Sequence, residues 1–310
     1  MNDRKYDRAL SLAKVILAAK EELPDLIDAL NERKYDRALS FAKEGVGIKA
    51  KDKNDATPLH LALKDYYIKW NKREELVKAL LESGADANAI AGDHYNGATP
   101  LLYAAEHGTD NMAVELLKHG AKVDGKDSYD WTPLLQAARC GRTEMAKMFM
   151  EKGADVMSRT KSGDGVLNWA AISGKNELVE IFLANGADPS LIGSGSTPLM
   201  NAARNNHEKV VKTLLKDKRV RDTINVSNAY NGYSALDYAQ KNHYTNIVKT
   251  RLFSSAFGAG KKPRSVHSGR LGTSSLRAPP SVCPRLLFGS KSCSGVEQHE
   301  TISGLRPSSS

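Results

Sequence analysis

The sequence is short of cysteine, and the cysteines it has are poorly spaced. Three occur among 310 residues, Cys140, Cys283 and Cys293. An odd number at such wide separations does not fit a disulfide framework or the paired spacing of a zinc site. We therefore expect no bound metal and a reducing compartment, the cytoplasm, with the nucleus as the alternative.

Long apolar runs are also lacking. No stretch of about 18 consecutive apolar residues occurs, so we expect no transmembrane segment. The first twenty residues interrupt their apolar run with Lys14 and mix acidic with basic side chains. That mixture fits neither a secretory signal nor a transit peptide.

Motifs for catalysis are lacking as well. None of the eight histidines lies in an H-E-x-x-H motif or at a ligand spacing to a second candidate. The stretch GAGKKP at 258–263 echoes a phosphate loop but has no Ser or Thr after its lysines. No nucleophile elbow is visible. We expect no enzymatic activity, no cofactor and no small-molecule substrate.

Most of the positive charge lies in the C-terminal segment. Of the net charge of +9, residues 251–310 carry +7, with nine Lys/Arg against two Asp/Glu, which leaves +2 for residues 1–250. This segment also holds 14 Ser, 7 Gly and 5 Pro and shows no helical periodicity. We predict a disordered basic Ser/Gly/Pro-rich tail over 258–310, with non-native read-through as the alternative. Its KKPR at 261–264 resembles a nuclear-import signal.

A repeated segment dominates the rest of the chain. Its copies are spaced by 42, 33, 33, 32 and 37 residues, and a period near 33 indicates a repeat array. In four units a Gly-Ala pair follows, beginning at Gly84, Gly120, Gly153 and Gly186. The aligned copies are TPLHLAL (57–63), TPLLYAA (99–105), TPLLQAA (132–138), GVLNWAA (165–171), TPLMNAA (197–203) and SALDYAQ (234–240).

The fixed positions of the repeat have local physical roles. Threonine is a good helix N-cap, and the proline after it suits the first helical position, where no N–H is needed. A second helix follows with apolar residues at i, i+1, i+4 and i+5, which form one helix face. The glycine after it favours the left-handed conformation that ends a helix. Each unit is therefore predicted to be helix, turn, helix, turn; we call its two helices helix A and helix B.

The period, TPLHLA at 57–62 and GADANA at 84–89 resemble ankyrin repeats, over roughly residues 24–257. The resemblance implies an all-α, right-handed ankyrin-repeat solenoid of helix-turn-helix-hairpin repeats, here six to seven, in a monomeric protein. The family uses the His of TPLH to tie a loop to its neighbour, and only His60 keeps it. The unit at Gly165 lacks the cap and the proline, so we expect local opening there.

The pattern extends upstream of the first clear unit. PDLIDAL at 24–30 lies 33 residues before TPLHLAL and predicts a degenerate first repeat. Residues 2–14 match residues 31–43 at 11 of 13 positions. We interpret residues 1–23 as an N-terminal capping helix created by local duplication, with a gene-model artefact as the alternative.

Variation between repeats indicates where a partner binds. The fifth column of helix A reads Leu61, Tyr103, Gln136, Trp169, Asn201 and Tyr238. The resemblance implies that this column and the loop tips line the concave side, so we predict that another protein binds there. The predicted contacts form an aromatic stripe, because exposed Trp and Tyr are common interface hot spots. The alternative is that Trp131 and Trp169 pack against neighbouring tips. The aromatic stripe consists of Tyr95, Tyr103, Tyr129, Trp131 and Trp169.

An insertion at 64–75, KDYYIKWNKREE, lengthens one unit and raises a different possibility. Its aromatic and lysine side chains could stack on nucleic-acid bases or, with the basic tail, bind an anionic lipid. The more common outcome is an extended helix with Tyr and Trp tucked onto its neighbour. A host-directed microbial effector is a third possibility.

Overall fold

The computed structural model describes residues 25–65, 67 and 69–250. The predicted capping helix over 1–23 and the predicted tail over 258–310 lie outside these residues. The described part of the chain is helical and has no β-strand, only the isolated bridges Arg159–Gly165 and Gly193–Ser196. The all-α repeat fold expected from the sequence is confirmed.

Seven pairs of helices follow one another in the described residues, and we number the units 1 to 7. The helix A segments are α1 (Leu26–Asn31), α3 (Pro58–Lys64), α5 (Pro100–His107), α7 (Pro133–Cys140), α9 (Val166–Ser173), α11 (Pro198–Arg204) and α14 (Ala235–Lys241). The helix B segments are α2 (Tyr35–Lys43), α4 (Trp70–Glu82), α6 (Asp110–Lys118), α8 (Thr143–Glu151), α10 (Asn176–Ala184), α12 (Glu208–Lys216) and α15 (Thr245–Val248). A 3-10 turn (Asp93–Tyr95) and a short helix α13 (Lys218–Arg221) complete the described elements.

The helix A segments begin where the Thr-Pro pairs predict. The hydroxyl oxygens of Thr132 and Thr197 accept from the backbone N–H groups three residues on, at 3.3 and 3.2 Å. A proline follows each of them at the first helical position. The cap satisfies one N–H group that has no partner inside the helix, and proline removes the need for another.

One continuous apolar core runs through all seven units, from Leu26 to Ile247. Each helix A packs on the helix A of the next unit, and each helix B lies behind its own helix A. Small alanines at the sixth position, such as Ala104 and Ala137, are fully buried and allow neighbouring helices to approach. The largest fully buried side chains, Phe149 and Phe182, come from helix B.

Two buried side chains tie a hairpin to the next unit. The ring of His60 contacts the N–H of Thr57 through Nδ1 at 3.2 Å and the carbonyl of Ala98 through Nε2 at 3.1 Å. Asn168 does the same in unit 5: Oδ1 accepts from Gly165 N–H at 3.1 Å, and Nδ2 donates to Ser196 O at 3.1 Å. Asn168 therefore holds unit 5 to the next unit, although unit 5 lacks the Thr-Pro pair. Comparison of the repeat sequences did not predict this contact.

Candidate functional site

The aromatic stripe is mostly buried. The exposed fractions of Tyr95, Tyr103 and Trp131 are 7%, 2% and 8%, while Tyr129 and Trp169 are partly buried against the core. The expectation that these side chains are exposed is wrong for the first three. Tyr103 is enclosed because neighbouring helix A segments lie side by side, and the hairpin residues Tyr95 and Trp131 pack against the fifth-column rings of Tyr103 and Trp169. Gln136, Asn201 and Tyr238 in the same column are buried as well.

Tyr95 and Tyr103 belong to one aromatic cluster. Their ring centroids are 6.3 Å apart, and Tyr103 also meets His60 edge-on at 5.8 Å and His107 at 6.3 Å. The ammonium of Lys64 lies 4.6 Å from the centroid of the Tyr95 ring. An ammonium over an aromatic face is attracted to it. The cluster therefore presents a cation where the sequence predicted an aromatic surface.

Trp131 and Trp169 form a second cluster. Their ring centroids are 4.7 Å apart, and the guanidinium of Arg139 lies 5.6 Å from the Trp131 ring. The two tryptophans pack on each other, as the alternative interpretation of the sequence had it. Tyr129 is not part of either cluster; its N–H donates to Asp127 Oδ1 at 2.8 Å in the hairpin turn.

A buried ion pair connects the two clusters. Glu106, which is 6% exposed, accepts from Arg139 at 2.7 Å, and Glu106 lies on the same helix as Tyr103. Arg142 donates to the carbonyls of Glu106 and Gly108 at 2.8 and 2.6 Å. From the other side, Arg73 donates to His107 O at 2.5 Å. Guanidinium groups of both neighbouring units thus stabilise the negative C-terminal end of α5.

The electrostatics of this region keep its histidine neutral. Burial lowers the pKa of His107 to about 4, and the positive charges of Arg73, Arg142, Arg139 and Lys64 act in the same direction. A second buried histidine behaves alike, since burial lowers the pKa of His60 to about 4. Neither ring carries a charge at neutral pH.

Two donors of the stripe have no hydrogen-bond partner. They are the hydroxyl of Tyr103 and the indole N–H of Trp169, both buried at the atom level. A buried donor left unpaired typically costs about 1–3 kcal/mol. The Trp169 ring is still partly exposed.

A column of charged residues accompanies the stripe, and the search for aromatic residues in the sequence missed it. These residues stand at the eighth position of each repeat, two residues after the sixth-position alanine. Four of the six are cations, and the one acid, Glu106, is paired with Arg139. The alignment of the repeats contains this signal. The column reads Lys64, Glu106, Arg139, Ile172, Arg204 and Lys241.

Two described aromatic side chains of the insertion at 64–75 are exposed. Tyr67 is 62% exposed and Trp70 is 61% exposed, so the expected packing onto a neighbour is wrong for these two. The guanidinium of Arg33 lies 4.1 Å from the Tyr67 ring centroid. Two lysines of this region are neutralised by ion pairs to acidic groups, in Lys72–Asp36 and Lys43–Glu75.

Two features are absent from the described part of the chain, residues 25–65, 67 and 69–250. No group of three or more His, Cys, Asp and Glu side chains lies in a metal-binding arrangement. No described helix is both long enough and apolar enough to cross a bilayer.

A scan against protein families matches the chain to the model described as ankyrin repeats (3 copies), over residues 66–160 and 167–259. These two ranges together make up more than half of the chain. Curated proteins match shorter stretches. The phosphate system positive regulatory protein PHO81 of Saccharomyces cerevisiae is 42% identical over 53 residues, 17% of this chain and 4% of its own length.

Two vertebrate proteins show similar matches. The B-cell lymphoma 3 protein homolog of Mus musculus is 35% identical over 81 residues, 26% of this chain and 16% of its own length. The palmitoyltransferase ZDHHC17 of Danio rerio is 34% identical over 85 residues, 26% of this chain and 12% of its own length. The chain therefore aligns with no more than about a sixth of each of these relatives.

Proposed function

The chain belongs to the ankyrin-repeat family, and from this premise we propose that it is a monomeric, non-catalytic scaffold, adaptor or inhibitor that binds another protein on its concave side. Ankyrin repeats generally mediate protein–protein interactions, and the fold is typically non-catalytic. Because the fold itself does not specify a partner, the proposal depends on the side chains of one surface.

The observation that carries the proposal is the packing and partial exposure of the Trp169 side chain. Its ring packs against Trp131 with the centroids 4.7 Å apart and the planes tilted by 42°, remains partly exposed and holds an indole N–H without a partner. A partly exposed indole on a rigid support is a typical interface anchor, since it buries much area at a small cost in conformational entropy. The proposed contacts are Trp169 and Tyr129, with Tyr95, Tyr103 and Trp131 as the buried layer that positions the surface.

The test is an affinity capture with the full-length chain, read by mass spectrometry at two salt concentrations. We compare the wild type with Tyr129→Ala/Trp169→Ala and with Trp169→Phe, which keeps a ring and removes the N–H. We expect a protein partner at both salt concentrations with the wild type. Recovery should fall at least about tenfold with the double variant and less with Trp169→Phe, as for an interface hot spot.

Trp70→Ala is the matched control, because it removes an exposed tryptophan outside the stripe. Circular dichroism and thermal unfolding first establish that each variant is folded. If the partner is recovered equally with the wild type and the double variant, the concave face is not the binding surface.

The insertion supports a second candidate function, binding of nucleic acid or anionic lipid. The observation in its favour is the exposure of Trp70 and of Tyr67, whose ring lies against the Arg33 guanidinium. This function predicts recovery of nucleic acid or lipid that disappears at the higher salt concentration and with Trp70→Ala. Recovery that does not respond to salt would exclude it. The basic tail that would assist this binding lies outside the described residues.

A further inference from the structure

From the eighth-position column we infer that the partner segment held by the concave side is acidic and extended, with its carboxylates bound by the cation row Lys64, Arg139, Arg204 and Lys241. This inference rests on the proposed function and names the chemistry of the partner. The row includes cations from units 2, 4, 6 and 7. Equivalent positions of stacked repeats lie along one line, because each helix A packs on the next.

Most of the row is not neutralised within the protein. Among the described residues, no carboxylate forms an ion pair with Lys64, Arg204 or Lys241. Arg139 is paired with the buried carboxylate of Glu106 at 2.7 Å, and its Nε donates to Gln136 Oε1 at 3.3 Å. Arg204 and Lys241 are exposed. Arg204 and Lys241, in the adjacent units 6 and 7, repel each other, and an acidic segment would relieve that repulsion.

The aromatic rings fix three of the cations. Lys64 lies over Tyr95, Arg139 over Trp131, and Lys241 over Tyr233 at 4.7 Å. Lys241 also donates to the Tyr233 hydroxyl at 3.3 Å. A cation that is already held by a ring loses less side-chain entropy when it binds a carboxylate. These aromatic residues therefore position the cations of Lys64, Arg139 and Lys241 at the surface.

The same contacts favour a protein segment over nucleic acid. Sequence-tolerant binding of single strands uses aromatic faces on which bases stack. In the concave side, Tyr95 and Trp131 are buried and already carry a cation. Carboxylates need no open ring, and they form charge-assisted hydrogen bonds with Lys and Arg.

The spacing of the row specifies an extended segment. Packed helices lie about 8–10 Å apart, so neighbouring units present their eighth positions at about that interval. An extended chain advances about 3.3 Å per residue, so one acidic residue in every three places a carboxylate opposite each unit, including units 2, 4, 6 and 7 that carry the cations. The chain's own C-terminal segment does not fit, because residues 251–310 carry nine basic and two acidic residues.

The test measures binding of a fluorescein-labelled Gly-Ser peptide of about 18 residues with Glu at every third position, long enough to span the row at about 3.3 Å per residue. The full-length chain is titrated against this peptide, against the same peptide with Gln for Glu, and against oligothymidylate of similar length. We expect the Glu peptide to bind at least about tenfold more tightly than the Gln peptide.

Two matched double variants separate the row from the net charge. Arg204→Gln/Lys241→Gln should weaken binding of the Glu peptide about fivefold to tenfold, as expected for two ion pairs. Lys209→Gln/Lys216→Gln removes the same charge from exposed positions on α12 and should change it less than twofold. The charge-preserving Arg204→Lys/Lys241→Arg should bind like the wild type.

Equal effects of the two Gln double variants would overturn the inference, as would tighter binding of oligothymidylate than of the Glu peptide. Absence of Glu-peptide binding would also overturn it. If the affinity capture still recovers a partner that depends on Tyr129 and Trp169, the proposed function stands and only the acidic chemistry of the partner is wrong.

Discussion

Single side chains decide how each hairpin is held to the next unit. His60 and Asn168 occupy the same repeat position, and each accepts from its own N-cap N–H and contacts a carbonyl before the next helix A. Leu102, Leu135 and Met200 stand at this position in other units and cannot make such bonds. Both polar side chains are buried, so either one left unpaired would cost about 1–3 kcal/mol.

The two residues differ in their response to pH. Burial lowers the pKa of His60 to about 4, whereas the ordinary value is 6.5. The unfolded chain therefore binds more protons than the folded chain between about pH 6.5 and 4. The stabilising effect of a neutral His60 is complete above pH 6.5 and is lost as the pH falls toward 4. A shift of this size corresponds to about 3 kcal/mol at most.

We predict that His60→Asn reduces the loss of stability in acid. Asparagine can make both bonds, as Asn168 does, and it does not titrate. The free energy of unfolding should stay within about 1 kcal/mol of the wild type at neutral pH, as for a hydrogen bond replaced by an equivalent one. Between neutral pH and about pH 4.5 the variant should lose about 1–3 kcal/mol less than the wild type.

Urea unfolding at the two pH values measures this difference. His107, whose pKa is also lowered to about 4, leaves some pH dependence in the variant. Equal losses in the wild type and the variant would show that His60 does not control the response to acid.

At the scale of elements, the hairpins between units depend on close backbone contacts. In the hairpin before α11, a Cβ atom at Gly193 would lie 2.5 Å from the Cα of Asp164 in the preceding hairpin. Asp164 is 3% exposed and accepts from the hydroxyls of Ser162 and Ser194. The two hairpins therefore form one hydrogen-bonded layer, and only glycine fits at position 193.

We predict that Gly193→Ala destabilises the protein by about 1–3 kcal/mol through forced separation of the two hairpins. Hydrogen exchange should increase in both hairpins, at residues 159–165 and 191–196. Gly153→Ala is the control: its φ is +86°, but an added Cβ would meet nothing within 4 Å. Its cost of about 1–2 kcal/mol should come from backbone strain and stay at the end of α8. Unchanged exchange at residues 159–165 in Gly193→Ala would contradict the prediction.

At the scale of the whole molecule, stability comes from interfaces between units. The core is continuous from Leu26 to Ile247, and among the described helices the main contacts of each unit are with its neighbours. In such an array a central unit has two interfaces, and a terminal unit has one. The position of a substitution along the array therefore matters as much as its chemistry.

We predict that Leu134→Ala, in unit 4, costs about 2–5 kcal/mol. Leu236→Ala changes the same repeat position in unit 7 and should cost less, because Leu236 is 8% exposed and Leu134 is 0% exposed. Chemical denaturation followed by circular dichroism compares the two. Hydrogen exchange should increase on both sides of unit 4 in Leu134→Ala and only near α14 and α15 in Leu236→Ala. Equal losses of unfolding free energy in Leu134→Ala and Leu236→Ala would contradict the proposed dependence on neighbouring units.

The sequence by itself determined the repeat, its helices and the family. Thr-Pro pairs specify where helix A begins, and the apolar residues at i, i+1, i+4 and i+5 specify the buried face of helix B. These are local signals, since caps and helix faces involve residues only a few positions apart. The degenerate first unit is also readable in this way: Leu26 and Ala29 are fully buried, as the spacing of 33 residues indicates.

Only the tertiary structure decided which variable residues reach solvent. Tyr103 and Trp169 share a column, yet Tyr103 is enclosed by His60 and Tyr95 while part of Trp169 stays open. Trp70 is 61% exposed, although the sequence predicted that it packs onto a neighbour. The placement of cations over aromatic rings arises in the same way. Exposure depends on what the next unit places against a side chain, and that neighbour is about 33 residues away in the sequence.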